Sequence, residues 1–191
     1  MNKDHTEKIL TPIKTWQQSN TKSHDVANQL AAVQSQIKTA TDQRPQRYGV
    51  EPVTLVAVSK RQPDDKIDAA LAAGQRVFGE NRVQEASQRW ASRRTAYSDL
   101  TLHLIGPLQT NKVSEAVALF DVIEVVDREK LARALANEMS RQNRYLPCYI
   151  QVNTGEEPQK SGILPNQLDD FAHFCKDELA LPIIGLMCIP P

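Results

Sequence analysis

Between Val53 and Ile189 the chain repeats one unit, a short apolar run followed by a stretch of helical periodicity, six times over, the last incompletely. Strict alternation of strands and helices dictates a parallel sheet joined by right-handed crossovers, because a parallel neighbour is reached only through a covering segment. The apolar runs are Leu55–Ser59, Arg76–Gly79, Thr101–Gly106, Asp121–Val126, Cys148–Val152 and Ile183–Ile189. Several of them are apolar without alternation, as expected of strands covered on both faces.

Helical spacing fills the intervals. The predicted helices run from Pro63 to Ala73 with Gly74 as C-cap, from about Glu80 through Trp90, over Thr110–Leu119, over Arg128–Gln142, and over Gln167–Leu179. Ahead of the first strand, Val26, Leu30, Val33 and Ile37 recur at helical spacing, which predicts one amphipathic helix over His24–Thr41, ending at Asp42–Pro45. Residues 1–22 read as a polar, poorly ordered N-terminal extension with a short helix start at Thr11–Pro12, and residues 23–191 as a single α/β domain. Either a (β/α) barrel or a doubly wound sheet satisfies this pattern.

The charge balance narrows the function. Lys plus Arg and Asp plus Glu number 23 each, with no basic stripe, so nucleic acid is not an expected partner. No stretch resembles a signal peptide or a membrane span, which gives a cytoplasmic expectation. Cys148, Cys175 and Cys188 are odd in number, far apart and without zinc-like spacing, which fits free thiols in a reducing compartment.

Sites in parallel α/β proteins lie at the carboxyl ends of the strands. Here those ends are chemically loaded: Lys60 closes the first, Glu80 and Asn81 the second, Gly106 to Lys112 the third, Asn153 the fifth and Met187 to Pro190 the sixth, while His103 interrupts an apolar strand. A desolvated lysine amine at such a position can condense with an aldehyde. Each residue also has a structural reading: Lys60 as a solvated strand end, Glu80 and Asn81 as helix-entry residues, His103 as a hydrogen-bonded core histidine, Asn153 as a loop shaper, and Asn111 with Lys112 as a solvated helix start.

Five ordered words carry a family resemblance. They are Ala57-Val58-Ser59-Lys60, then Phe78-Gly79-Glu80-Asn81-Arg82-Val83-Gln84-Glu85, then His103-Leu104-Ile105-Gly106-Pro107-Leu108-Gln109-Thr110-Asn111-Lys112, then Gln151-Val152-Asn153 with Lys160-Ser161-Gly162, and last Gly185-Leu186-Met187-Cys188-Ile189-Pro190. In these words the chain resembles the pyridoxal phosphate homeostasis proteins, which look like the N-terminal barrel domain of alanine racemase standing alone. The resemblance implies a TIM (β/α)8-type barrel, of which about six strands are present here. It also implies pyridoxal 5'-phosphate held as a Schiff base on Lys60, with Asn81, His103 and Met187 in the cofactor pocket. In the family, further strands and a Ser- and Gly-Thr-rich phosphate-binding segment follow the last word, so the sequence is expected to be C-terminally short.

The implied function is intracellular vitamin B6 homeostasis by a cofactor carrier without catalytic turnover, with pyridoxal-phosphate-dependent apoenzymes as recipients. A pyridoxal-phosphate-dependent racemase or lyase is the alternative. Racemisation needs an acid/base group on each face of the substrate carbon, and no tyrosine of this sequence can be assigned as the second one. A cofactor-free Schiff-base aldolase and a protein-binding remnant are further readings of the same residues.

Overall fold

Six α-helices and six β-strands alternate along the described residues of the computed structural model, which are 7–45, 49 and 51–190, with side chains described from residue 25. The chain forms two compact units, Met1–Arg76 and Val77–Pro191.

In the first unit, α1 (Glu7–Asp42) precedes β1 (Ala57–Val58) and α2 (Asp64–Ala72). The helix expected from His24 therefore starts at Glu7, and it stops where Pro45 predicted. Val26, Leu30 and Ile37 are half-buried, whereas Val33 is 41% exposed, so the predicted apolar stripe is only partly covered. Helix α2 packs against α1 and buries Ile67, Ala69 and Leu71. The C-cap of α2 is Ala73, one residue before the expected Gly74, which follows at φ +93° and donates its backbone N–H to the Leu71 carbonyl at 3.0 Å. The first strand is shorter than the predicted Leu55–Ser59. The Leu55 carbonyl accepts instead from the Gln75 side-chain amide at 2.9 Å.

The second unit contains β2 (Val77–Glu80), α3 (Val83–Ala96), β3 (Thr101–Leu104), α4 (Val113–Leu119), β4 (Val122–Val126), α5 (Glu129–Gln142), β5 (Cys148–Val152), α6 (Leu168–His173) and β6 (Ile183–Cys188). A 3-10 turn at Thr110–Lys112 leads into α4, a second at Pro165–Gln167 leads into α6, and α6 continues into a π-type turn at Phe174–Glu178. Every pairing from β2 to β6 is parallel, and the spatial order follows the sequence order without reversal. That succession separates the two architectures left open by the pattern. A doubly wound sheet reverses once and carries helices on both faces, whereas right-handed crossovers always advancing in one direction put every helix on one face. The second unit has the winding of a barrel wall.

Burial marks the helix-covered face. Phe78, Leu102, Leu104, Ile123, Val125, Cys148 and Ile150 are each no more than 1% exposed. Trp90 of α3 is fully buried against Phe78, with ring centroids 4.7 Å apart. Glu80, one step beyond Phe78 on the same face, is also fully buried, and its Oε1 accepts from Trp90 Nε1 at 3.0 Å and from Arg89 Nη1 at 2.9 Å. It is a strand residue, and α3 begins only at Val83, so the reading of Glu80 as a helix-entry residue gives way to a carboxylate that ties α3 to β2. No helix among the described residues is long and apolar enough to cross a membrane.

Candidate functional site

Period-two alternation places His103, Glu124, Tyr149, Gln151 and Met187 on the opposite face of the second unit's sheet. The strand ends on this side surround a cavity of 160 Å³, bounded by Asn81 after β2, Gly106 after β3, Gln151 and Asn153 at the end of β5, Ser161, and Ile189 after β6. The Asn81 side-chain oxygen is buried and has no hydrogen-bond partner among the described residues. An unsatisfied buried acceptor is costly, so it marks a place where a donor on a ligand is favoured.

Backbone packing shapes the cavity. Gly106 lies so close to Asn81 that a Cβ built on it would come 2.7 Å from the Asn81 Cβ. Gly162 has φ +121°, and a Cβ there would lie 2.6 Å from the Asn153 backbone nitrogen. Only glycine lets the Lys160–Gly162 segment press against the end of β5 in this way. Two backbone bonds then hold the segment, Asn153 N–H to the Ile163 carbonyl and Ile163 N–H to the Gln151 carbonyl, each at 2.9 Å.

The predicted residues fall into distinct places. Asn81 lines the cavity. His103 lies two residues before Ile105, another lining residue, and so sits one step deeper on the same face. Its Nδ1 is 2.5 Å from Glu124 Oε1, and the two side chains are 13% and 17% exposed. Met187 is half-buried and is the register partner of Gln151, which lines the cavity. Lys60 belongs to the first unit. It is exposed at the end of β1 and is followed by Arg61 at φ +58°, with a turn closed by Gln62 N–H to the Ser59 carbonyl at 3.1 Å. A bulky residue in the left-handed region is strained, and such strain concentrates at functional loops.

Asn153 shapes a loop, as its structural reading held: its amide donates to the Glu157 carbonyl at 2.8 Å, and its oxygen accepts the Glu157 N–H at 3.2 Å. Lys112 pairs with Glu115 at 2.7 Å at the start of α4. Sequence reasoning missed Gln151 and Glu124. Both are single polar residues inside apolar strands, Cys-Tyr-Ile-Gln-Val and Val-Ile-Glu-Val-Val, and that interruption was the available signal.

A larger cleft of 550 Å³ lies beside the first, sharing Asn81 and Pro107, and is lined by Arg82, Gln84 and Lys112 at the start of α3 and α4. Its cations are committed, Arg82 to Glu85 at 3.1 Å and Lys112 to Glu115 at 2.7 Å. The smaller cavity, which gathers residues from the ends of β2, β3, β5 and β6, is the better candidate.

The family described as alanine racemase, N-terminal domain, matches residues 29–191. The pyridoxal phosphate homeostasis protein of Pasteurella multocida is 37% identical over 167 residues, covering 86% of this chain and 70% of that protein. The Escherichia coli protein of the same name is 37% identical over 170 residues, covering 87% and 71%. Among solved structures, PipY of Synechococcus elongatus with pyridoxal phosphate bound superposes with a TM-score of 0.69 at 38% identity, covering 87% of this chain and 71% of that one. Alanine racemase from E. faecalis, at 18% identity and a TM-score of 0.59, shares the fold over 89% of this chain and 42% of its own.

Proposed function

Since the chain belongs to the pyridoxal phosphate homeostasis protein family, we propose that it binds pyridoxal 5'-phosphate through Lys60 and serves intracellular vitamin B6 homeostasis as a carrier, without catalytic turnover. The observation that carries this reading is the strand-end cavity, lined by Asn81, whose buried side-chain oxygen is unmatched, together with Ile105, Pro107 and Ile189. A flat ring bearing a few polar groups, at least one of them a donor, suits such a lining.

When bound, pyridoxal phosphate supplies an aldehyde that condenses reversibly with a primary amine and releases water. Lys60 supplies the amine, held at a strand end by the strained Ser59–Gln62 turn. Asn81 orients a donor on the ring. His103 and Met187 complete the wall, and Ile105 and Ile189 exclude water from it. Because the attachment is reversible, the cofactor can pass to apoenzymes that require it. The three free thiols Cys148, Cys175 and Cys188 fit the reducing cytoplasm as the place of work.

Absorption spectra of the purified chain with pyridoxal phosphate, recorded beside Lys60→Ala, test the reading. A cofactor band in the wild type that disappears in the variant supports it. The same band in both would remove Lys60 from the role, and no band in either would overturn cofactor binding by this chain.

A further inference from the structure

His103 and Glu124 form a half-buried pair on adjacent strands, and nothing in the carrier reading requires a carboxylate there. An ionised carboxylate only accepts hydrogen bonds, so at 2.5 Å from Glu124 Oε1 the Nδ1 of His103 must carry the proton. In the neutral form of the ring this contact selects the Nδ1–H tautomer, which leaves Nε2 as an acceptor on the side of the ring away from Glu124. Partial shielding of both side chains from water strengthens the bond and restricts rotation of the ring. Beside the pair, Gly79, the register partner of His103, has no side chain, and Ile105, the next residue of β3's segment on that face, lines the cavity.

We propose that Glu124 is a positioning residue for the cofactor, acting through His103: it sets the tautomer and orientation in which Nε2 accepts a hydrogen bond from a donor on the bound ligand. The proposal rests on the pyridoxal phosphate reading. A glutamate at this place converts a histidine with two interchangeable nitrogens into an acceptor of fixed direction, as carboxylates do for histidines that hold metals or substrates.

The test combines Glu124→Gln, His103→Gln and the double variant. Glutamine keeps the size of Glu124 but can donate as well as accept, so it no longer dictates which nitrogen is protonated. Long-range 1H–15N spectra of the ligand-free wild type should show His103 protonated at Nδ1, and Glu124→Gln should mix the tautomers. Titration with pyridoxal phosphate should show binding by Glu124→Gln weakened roughly three- to tenfold, the worth of one hydrogen bond, with no further loss when the change is added to His103→Gln. Thermal melts confirm that each variant is folded.

An unchanged tautomer, unchanged affinity in Glu124→Gln, or an equal loss in the His103→Gln background would overturn the proposal. A wild type that takes up no cofactor would instead overturn the reading beneath it. The tautomer spectra would still decide in that case whether Glu124 sets the state of His103.

Discussion

The α-carbon of Gly106 is packed against the backbone of Asn81 so tightly that a methyl group in place of its hydrogen would stand 2.6 Å from the Asn81 Cα. This approach joins the end of β2 to the loop after β3, reinforced by Ile105 N–H to the Glu80 carbonyl at 2.9 Å. Gly106→Ala must push the two segments apart, which costs about 1–3 kcal/mol by the usual penalty of overpacking. Urea denaturation should show that loss, and pyridoxal phosphate binding should weaken with it because Asn81 moves.

Trp90 both fills the core beside Phe78 and donates to the buried Glu80 carboxylate. Trp90→Phe retains an aromatic ring but takes away the N–H, leaving a buried charge with one donor fewer. The expected destabilisation is about 1–3 kcal/mol. Glu80→Gln in the same background should recover part of it, since an uncharged amide tolerates the missing donor better. Denaturation midpoints of the two variants decide the matter.

At the opposite end of the strands, Asp121 gathers two cations and a backbone amide. Arg94 Nη2 reaches its Oδ2 at 2.5 Å, Arg144 Nη2 its Oδ1 at 3.1 Å, and the Leu102 N–H donates to Oδ2 at 2.8 Å. Arg144 also donates to the carbonyls of Val117 and Phe120, at the end of α4. Asp121→Ala leaves two guanidinium groups half-buried without their shared anion, at an expected cost of about 2–4 kcal/mol. Being remote from the cavity, this change should lower the melting temperature while leaving the cofactor dissociation constant of the folded protein unaltered.

Thiol chemistry should separate the three cysteines. Burial, with a contribution from nearby Cys175, pushes the Cys148 thiol up to about 12. Burial, followed by the charge of Glu129, pushes Cys175 up to about 11. Both stay protonated and sheltered at pH 8, whereas Cys188 is exposed. Mass spectrometry after iodoacetamide treatment of the native protein at that pH should find one label, on Cys188, and three after denaturation. Early labelling of Cys148 would contradict the packing of β5.

Local pattern disclosed most of the sheet and less of the site. Cys148–Val152 is the strand its apolar run predicts, because a central strand covered by helices has no reason to alternate. Ala57–Val58 is shorter than its run, since the Leu55 carbonyl is taken by Gln75, a side chain distant in sequence. Glu80 read as a helix start because acidic residues favour that position. Its true partners, Arg89 and Trp90, are brought to it only when α3 folds back on β2. The direction of winding needed the strand order itself, as alternation alone fits both sheets. Glu124 looked like one polar residue in a strand, and its meaning came from the neighbouring strand that sets it beside His103.

The unbroken succession of strands also bears on how the second unit is made. Each strand finds its partner in the one synthesised just before it, as Val77 meets Thr101 and His103 meets Val122. Loop closure is therefore short at each described pairing from β2 to β6. The strands from β2 to β6 can therefore add unit by unit behind the ribosome, each new helix sealing the strand it follows.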